Sequence, residues 1–242
     1  MTEDILRQAR HTNANADLHY TDDMYNQTLT LIEDSCLAIV NKMLSQLGLP
    51  SPNRAISDLF DRDIQPEKNY DTNSLNSFVQ QNVPLMNQQQ KTVYTTIMQA
   101  VNGDAVGSYF LDAPGGTDKT YLISLVLATI RKDNNIALAI ASSGIAATLL
   151  DGGRTAHSAL KLPLNMQVID TPTCNISKTC GMAKVLQQCK IIVWDECTMA
   201  HKKSLEALDR TLQDLRSNQQ PFGGAIVLLA DDFRQIDTID TC

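Results

Sequence analysis

The clearest chemical signal in the chain is a glycine-rich stretch that ends in lysine and threonine, Asp112-Ala-Pro-Gly-Gly-Thr-Asp-Lys-Thr120. It nearly matches the phosphate-binding pattern G-x-x-x-x-G-K-[ST]. In such a loop the glycines let backbone N–H groups close around phosphate, and the helix that follows adds partial positive charge. The pattern predicts that Lys119 reaches the β- and γ-phosphates and that Thr120 binds Mg²⁺. The alternative is a glycine-rich turn between a strand and a helix.

Two positions of the loop depart from the pattern. Ala113 replaces the first glycine, which is a mild change, whereas Asp118 replaces the glycine directly before the lysine. A carboxylate about 4 Å from the triphosphate would cost roughly 4 kcal/mol at an effective dielectric of about 20, which is on the order of a thousandfold in affinity. Mg²⁺ would reduce this repulsion, and backbone strain from the lost glycine would add to it. The sequence therefore predicts weakened nucleotide binding.

Two further groups of polar residues follow apolar runs. Asp195 and Glu196 come directly after Ile191–Trp194, and Asp231-Asp-Phe-Arg-Gln235 follows another run. In phosphoryl transfer one such carboxylate holds Mg²⁺, and its neighbour orients and deprotonates the attacking water. We assign the metal role to Asp195 and the base to Glu196, and a Gln at position 235 could read the γ-phosphate. Taken alone, the Asp195–Glu196 pair would be interpreted as a solvated strand cap, and the stretch Asp231–Gln235 as a polar loop after a core strand.

The pattern of the second half of the chain predicts the elements that must position these residues. Short, continuously apolar runs are typical of strands buried on both faces of a parallel sheet; they are Ser108–Leu111, Ile136–Ala141, Ile191–Trp194 and Ala225–Ala230. Helical periodicity marks Lys119–Arg131 and Ser204–Arg216. Alternating strands and helices predict a doubly wound α/β sheet, whose ligands lie beyond the C-terminal strand ends.

The first half of the chain is predicted to be helical. Apolar residues at helical spacing run from Leu29 to Leu47, and Gly48 gives the stop. The polar stretch 51–74 is predicted to be a loosely ordered connector. Asn87 and Gln90 fit a capping box for a helix that ends at Gly103. We predict a helical N-terminal segment with its connector over residues 1–80, and the α/β domain over residues 81–242.

Composition narrows the class of protein. The chain has 242 residues, of which 43% are hydrophobic and 19% charged, which excludes a disordered or collagen-like chain. No apolar run reaches the roughly 18 residues of a membrane span, and the acidic N-terminus lacks the features of a secretory signal. We expect an intracellular protein with no membrane partner. Six cysteines without a C-x₂-C pair favour free thiols; zinc bound by Cys174, Cys180, Cys189, Cys197 and His201 is the weaker alternative.

The charge is unevenly distributed. A net charge of −7 argues against coating nucleic acid by bulk electrostatics. Residues 119–203, however, carry ten basic and five acidic residues, whereas residues 1–80 carry six and twelve. This basic middle permits contact with a polyanion.

Three blocks of the sequence resemble the Pif family of superfamily-one 5′-to-3′ DNA helicases, and more closely the helicase part of Helitron-type transposons. The blocks are Asp112–Thr120, Ala141–Ala147 together with Gly152–Ser158, and Trp194–His201. The segment Ser204–Gly224, with Asp209, Arg210 and Phe222-Gly-Gly, resembles a further signature of this family. The resemblance runs from about residue 83 to residue 236.

The resemblance implies a RecA-like P-loop NTPase domain with a mainly parallel sheet, preceded by a small helical segment. It implies catalytic roles for Lys119, Glu196 and Gln235, and metal binding by Thr120 and Asp195. The implied nucleotide-binding residues are Gln90, which would read adenine, and Pro114, Gly115, Gly116, Thr117, Lys119 and Thr120. The implied contacts to the single-stranded DNA backbone are Ser143, Gly144, His157 and Ser158. Taken alone, His157 could equally be a structural histidine.

The activity that the resemblance implies is ATP-dependent unwinding of DNA, with ATP as substrate, Mg²⁺ as cofactor and single-stranded or forked DNA as partner. By the same resemblance we expect a nuclear protein with roles in DNA repair, recombination and telomere maintenance. A small-molecule kinase is disfavoured, because no arginine-rich lid segment is present and Ser204–Gly224 would be unexplained.

Three departures from the family support an alternative. Asp118 and Asp231 stand where the family has glycine, and Ile236–Cys242 replaces the expected Leu-Pro-Val continuation. The family uses two RecA-like domains, so we expect this chain to be the first motor domain only, truncated at its C-terminus. Both glycine-to-aspartate changes are single-base transitions. The alternative is therefore a catalytically inactive, transposon-derived remnant that binds DNA or a partner weakly at most.

Overall fold

The structure, a computed structural model, describes residues 25–26, 28–29, 32–33, 36, 43–51, 64–103, 106–114, 117–163, 165–178 and 180–232. By its internal contacts the chain divides into two compact units, Met1–Leu59 and Phe60–Cys242. This boundary lies earlier in the chain than the position near residue 80 expected from the sequence. Residues 60–80 are thus part of the unit that contains the sheet.

The helix predicted over Leu29–Leu47 falls within the first unit. The residues described between Tyr25 and Cys36 are helical, but Met43 is extended, with φ −72° and ψ 156°, and Leu44–Leu47 is a separate 3-10 helix. The prediction of one continuous helix is therefore wrong at its C-terminal end. The backbone N–H of Leu44 donates instead to Glu33 Oε1 at 3.1 Å. The predicted stop is confirmed, because Gly48 ends the turn in the left-handed conformation, with φ 74°.

Among its described residues, the second unit contains a five-stranded sheet whose paired strands are all parallel. Its strands are β1 (Gly107–Asp112), β2 (Ala137–Ala141), β3 (Arg154–Thr155), β4 (Ile191–Asp195) and β5 (Ile226–Asp231). The spatial order is β1-β5-β4-β2-β3. The four predicted strands and their parallel arrangement are confirmed, with ends shifted by one residue. Strand β3 was missed, because two residues are too short to produce a pattern.

Besides the helical residues 64–68, the described part of the same unit contains seven α-helices. They are α1 (Thr72–Asn82), α2 (Gln88–Asn102), α3 (Lys119–Arg131), α4 (Gly144–Leu149), α5 (Ala156–Leu160), α6 (Gly181–Gln188) and α7 (Lys202–Arg216). The predicted helix α3 is confirmed at both ends, and α7 begins two residues earlier than predicted, with His201 as its N-cap. None of the helices described is both long and apolar enough to cross a membrane.

The sheet lies between two hydrophobic cores. Successive strand residues point to opposite faces, so Leu138 and Ile192 belong to the core that contains residues of α6 and α7. Ala139 and Val193 belong to the core that α2 and α3 complete. This burial on both faces explains why the strands read as continuously apolar runs.

Helix α1 begins at Thr72, inside the stretch 51–74 predicted to be a loosely ordered connector, and so corrects the C-terminal end of that prediction. The side chain of Asp71 caps this helix, because its Oδ1 accepts from the backbone N–H groups of Asn73 at 3.0 Å and Ser74 at 3.3 Å. Val79 is buried in the core on the α3 side, and Leu75 and Phe78 pack against that core. Most of the helix is polar, which hid its periodicity. Residues 64–68 are also helical, whereas residues 52–63 lie outside the described residues.

The predicted capping box of α2 is confirmed. The backbone N–H of Gln90 donates to Asn87 Oδ1 at 2.9 Å, and the backbone N–H of Asn87 donates to Gln90 Oε1 at 3.0 Å. The helix ends at Asn102, and the N–H of Gly103 donates to the carbonyl of Gln99 at 2.9 Å. Tyr94 links α2 to α3 through a 2.8 Å hydrogen bond between its hydroxyl and that of Thr129.

Candidate functional site

The candidate site is built on the C-terminal edge of the parallel sheet, where the loops after β1 and β4 meet the end of β5. Lys119 begins α3, and its Nζ lies 2.8 Å from Oδ1 of Asp195, the last residue of β4. Helix α3 follows β1, and in the described sheet β5 alone lies between β1 and β4. The structure thus brings the lysine of the glycine-rich loop together with the acidic pair, as the sequence predicted. The ion pair is largely buried, since the Asp195 side chain is 4% exposed and that of Lys119 17%.

The loop between β1 and α3 is held at both ends. The backbone N–H of Ala113 donates to the carbonyl of Asp231 at 3.0 Å, which joins the start of the loop to β5. The backbone N–H and the hydroxyl of Thr117 both donate to the carbonyl of Pro114, at 3.2 and 2.6 Å. The loop therefore curls into a turn before α3. Gly115 and Gly116 lie outside the described residues.

Asp118 occupies the position where the pattern has glycine. The backbone conformation at residue 118 explains why the pattern has glycine there. It is left-handed, with φ 57° and ψ 33°, and its side chain makes no capping hydrogen bond to α3. The strain expected from losing glycine is thus present, at about 1–2 kcal/mol for an ordinary residue and less for Asp, which tolerates this region. The side chain is exposed. Solvent therefore screens its charge, so its repulsion of a bound phosphate is weaker than the figure for a buried pair.

The acidic pair is oriented by specific hydrogen bonds. Glu196 takes the left-handed conformation, with φ 51°, and its backbone N–H donates to Asp195 Oδ1 at 3.0 Å. The hydroxyl of Ser143 donates to Glu196 Oε2 at 2.7 Å. Sequence reasoning missed this contact, because the two residues are 53 positions apart on loops after different strands and no motif connects them.

Asp231 is an integral part of the site. Its Oδ2 accepts from the backbone N–H of Thr198 at 2.7 Å and from the hydroxyl of Thr198 at 2.6 Å, and its Oδ1 accepts from the N–H of Asp232 at 2.7 Å. Burial acts to raise the pKa of Asp231, but these hydrogen bonds and the nearby charge of Lys119 outweigh it, so its pKa is lowered. The carboxylate thereby ties the loop after β4 to the end of β5. Sequence reasoning missed Thr198, and Gln235 lies outside the described residues.

The four residues implied to contact DNA follow the neighbouring strands β2 and β3. These strands pair through Ala141 and Thr155. Ser143 caps α4 by accepting from the N–H of Ala146 at 3.1 Å, and Gly144 beside it is exposed. His157 and Ser158, on α5, are also exposed.

A cavity of about 400 Å³ opens beside His157. Residues in and after β2, β3 and β4 line it, among them Ser142, His157, Met166, Trp194, Met199 and His201. The buried Trp194 donates its indole N–H to Ser142 Oγ at 3.0 Å. His157 is exposed at this cavity, and its contact with DNA stays a prediction.

The side chains of the predicted Mg²⁺ site offer the type of ligand atom, oxygen, that this ion prefers. Thr120 offers a hydroxyl and Asp195 a carboxylate, and Mg²⁺ prefers oxygen ligands, usually one or two carboxylates together with phosphates and water. Within the described ranges, no three or more His, Cys, Asp or Glu side chains are grouped so that they could hold a metal ion.

The residues of the zinc alternative, all of which are described, are not grouped in threes that could hold a metal ion. Burial raises the pKa of the Cys174 thiol to about 11. Burial and, after it, the charge of Asp231 raise the pKa of the Cys197 thiol to about 12. In the metal-free protein both thiols are therefore protonated at neutral pH.

Gln90 remains a predicted adenine reader. Its side-chain oxygen already accepts the hydrogen bond of the capping box. A carbonyl oxygen has two lone pairs, so this bond leaves capacity for a further contact. The structure establishes the capping role, and contact with adenine stays a prediction.

The segment Ser204–Gly224 has an evident structural role. Asp209 on α7 accepts a hydrogen bond from the backbone N–H of Phe222, and Arg210 donates to the carbonyl of Pro172 at 3.1 Å. Gly223 has φ 59°, and a Cβ at this position would lie 2.4 Å from the carbonyl oxygen of Leu212. The signature therefore fixes the turn that leads from α7 into β5.

Comparison with known proteins identifies the family. The model of the PIF1-like helicase family matches residues 85–241. The ATP-dependent DNA helicase Pif1 of Psychrobacter sp. (strain PRwf-1) is 31% identical over 130 residues, which cover 54% of this chain and 20% of that protein. The ATP-dependent DNA helicase PIF1 of Danio rerio is 22% identical over 228 residues, or 92% of this chain and 33% of that protein. The chain thus spans a fifth to a third of the length of these two relatives.

The fold is shared with a solved helicase structure. Unliganded Pif1 from Bacteroides sp. superposes with a TM-score of 0.51 at 22% identity, over 64% of this chain and 33% of that one. At this identity the likeness shows the fold, a RecA-like α/β domain. Because the family model covers more than half of the sequence and includes both the glycine-rich loop and the acidic pair, the chain belongs to the PIF1-like helicase family.

Proposed function

We propose that this chain is the nucleotide-binding motor domain of a Pif-family ATP-dependent DNA helicase. In this proposal it binds ATP at the loop between β1 and α3, and hydrolysis drives movement along single-stranded DNA and the unwinding of duplex DNA. The contact between Lys119 and Asp195 carries the proposal. It supports a site where a lysine reaches phosphate beside an acidic group of the kind that holds Mg²⁺.

Each residue has a proposed role. Lys119 and Thr117 would bind phosphate, together with Pro114, Gly115 and Gly116, and Gln90 would contact adenine. Thr120 and Asp195 would hold Mg²⁺, which neutralises phosphate charge when it is bound. Glu196 would accept a proton from the attacking water, and Gln235 would sense the γ-phosphate.

Single-stranded or forked DNA is the proposed partner. Ser143, Gly144, His157 and Ser158 would contact its backbone, and the exposure of Gly144, His157 and Ser158 supports this. A Pif1 structure with the same fold, at a TM-score of 0.50, is described as unwinding forked double-stranded DNA by two coordinating helicases. We further propose a nuclear role in DNA repair, recombination and telomere maintenance, and an origin from a Helitron-type transposon.

Titration of a fluorescent ATP analogue, with and without Mg²⁺, tests the nucleotide site. We expect Mg²⁺-dependent binding that weakens at least about tenfold in Lys119→Ala, since a charged contact to phosphate is worth more than about 1.4 kcal/mol. Lys132→Ala, at the other end of α3, is the matched control and should leave affinity unchanged. Equal affinity for Lys119→Ala and wild type would refute the proposed site.

The second candidate is a catalytically inactive remnant that binds DNA or a partner weakly at most. The exposed carboxylate of Asp118 beside the loop favours it. Under this reading the wild-type chain shows neither ATP-analogue binding nor DNA-stimulated ATP hydrolysis, and it separates no strands. Robust unwinding by the chain would exclude the second candidate.

A further inference from the structure

The hydroxyl of Ser143 connects the two proposed ligand sites. It donates to Glu196 Oε2 at 2.7 Å and accepts from the backbone N–H of Ala146 at 3.1 Å. A serine hydroxyl has a single proton. While Glu196 accepts that proton in a hydrogen bond, Ser143 has none to offer a phosphate oxygen of DNA.

The backbone of Glu196 is fixed, whereas the orientation of the Glu196 side chain depends on the hydrogen bond from Ser143. The left-handed conformation and the hydrogen bond from its own N–H to Asp195 Oδ1 fix where the Glu196 side chain begins. The loop beyond it is fixed by the bonds from Thr198 to Asp231. The residue itself is half-buried, and the hydrogen bond from Ser143 is the contact that orients its carboxylate.

We propose that Ser143 is a positioning residue that couples DNA binding to the catalytic base. Without DNA its hydroxyl holds the Glu196 carboxylate in its present orientation. A DNA phosphate that takes over the hydroxyl's hydrogen bond releases Glu196 to turn toward the attacking water. This inference rests on the proposed function, because it takes Glu196 as the base and Ser143 as a DNA contact.

The chemical step that follows is ordinary hydrolysis. The water oxygen bonds to the γ-phosphorus, the bond from that phosphorus to the bridging oxygen breaks, and ADP leaves with the electron pair. Glu196 takes the proton that the water loses. Ser143 takes no part in this exchange, so its effect is confined to where the carboxylate points.

Coupling between two sites is reciprocal, so it can be measured from the DNA side alone. If Glu196 and a phosphate compete for one hydroxyl, removing the Glu196 carboxylate must tighten DNA binding. We expect Glu196→Ala to bind a fluorescent single-stranded oligonucleotide about three- to tenfold more tightly than wild type, the size expected for one freed hydrogen-bond donor. Fluorescence anisotropy at fixed salt gives the two dissociation constants.

Three variants separate this coupling from a general loss of negative charge. In a Ser143→Ala background the gain from Glu196→Ala should vanish, whereas an electrostatic gain would persist. Glu196→Gln keeps an oxygen that can accept from the hydroxyl and loses the charge, so its gain should be smaller than that of Glu196→Ala. Threonine retains a hydroxyl, so in a Ser143→Thr background Glu196→Ala should again tighten DNA binding.

The outcomes distinguish the inference from the function on which it rests. If wild type binds the oligonucleotide but Glu196→Ala binds it equally, or gains as much in the Ser143→Ala background, the coupling is wrong and the proposed DNA site stands. An equal gain for Glu196→Gln also overturns the coupling, because charge alone would then explain it. If neither wild type nor any variant binds the oligonucleotide, the DNA part of the proposed function fails and the coupling fails with it. Thermal unfolding of each variant shows that loss of fold does not cause the result.

Discussion

At residue 118 the backbone adopts a conformation that glycine reaches with less strain than any residue with a side chain. Replacing Asp118 with Gly should therefore both stabilise the protein and relieve repulsion of bound phosphate. We expect Asp118→Gly to raise the free energy of unfolding by up to about 1 kcal/mol and the affinity for an ATP analogue by roughly tenfold or more. Urea unfolding and analogue titration measure the two effects.

Asn134 offers a matched control for this change. It lies just beyond the other end of α3 and is also left-handed, with φ 56°. Asn134→Gly should relieve comparable backbone strain while leaving nucleotide affinity as in wild type. If Asp118→Gly changes stability alone, as Asn134→Gly should, then the Asp118 carboxylate is no obstacle to nucleotide binding.

A pH-dependent part of the stability should come from Asp231. Its pKa is lowered in the folded protein because the hydrogen bonds from Thr198 outweigh burial, so its contribution is complete above the unfolded pKa of about 3.9. The contribution is lost as pH falls through the lower, folded pKa. We expect Asp231→Asn to cost about 1.5–3 kcal/mol at pH 7, the range for hydrogen bonds to a charged group. The difference from wild type should shrink below about pH 4.

Urea unfolding of both proteins between pH 3 and pH 7 tests this expectation. Asp214→Asn is the control, because Asp214 pairs with Lys178 on the surface at 2.7 Å with both side chains exposed; such pairs contribute roughly 0–1 kcal/mol. A cost for Asp231→Asn that stays constant across the pH range would mean that the charge of this carboxylate does not stabilise the fold.

At the scale of elements, the turn between α7 and β5 should be among the least tolerant segments. Gly223→Ala would place a methyl group 2.4 Å from the Leu212 carbonyl oxygen in a left-handed backbone, so the turn must shift. We expect a loss of about 2–4 kcal/mol, as is usual for a steric clash combined with backbone strain. Thermal or urea unfolding measures it.

Gly144→Ala is the matched control for the turn. A Cβ at Gly144 would meet nothing within 4 Å, and the residue begins α4, where alanine is favoured over glycine by about 1 kcal/mol at most. Its stability should equal or slightly exceed that of wild type. Similar losses for the two variants would show that the close approach at Gly223 is not what constrains the turn.

Sequence reasoning succeeded for elements whose pattern is local. Because the strands are buried on both faces, the unbroken apolar runs Ile191–Trp194 and Ala225–Ala230 predict them from the sequence. It failed where structure depends on distant partners. Helix α1 is mostly polar and is stabilised by packing three apolar side chains against the core beside α3, and β3 exists only because it pairs with β2.

The same division applies to the candidate site. The loop and the acidic pair follow from type and spacing, and their meeting at 2.8 Å follows from parallel strands that end at one edge of the sheet. The bonds from Ser143 to Glu196 and from Thr198 to Asp231 join residues 53 and 33 positions apart. Side chains of such common types carry no local signal, so only the folded chain shows that they meet.

For the whole molecule, the residues between positions 60 and 80 decide where an independently folding unit begins. They supply α1, the ion pair of Glu67 with Arg154 at 2.7 Å, and the ring of Tyr70, whose centre lies 4.4 Å from the guanidinium carbon of Arg131. Within the part of the chain that the structure describes, the residues of both hydrophobic cores around the sheet lie beyond position 60. A protein of residues 60–242 should therefore fold on its own.

A protein of residues 81–242 tests the boundary at residue 80 that the sequence suggested. It lacks the apolar side chains of α1 and leaves Arg154 without its carboxylate partner, while it keeps the strands and helices α2–α7. We expect it to be less stable than residues 60–242 by about 3 kcal/mol or more, or roughly 6–12 °C in melting temperature, because each buried apolar side chain contributes about 1.5–3 kcal/mol. Calorimetry of the two proteins beside the full chain makes the comparison. Equal melting temperatures would place the boundary near residue 80 and would mean that α1 rests on the sheet unit without stabilising it.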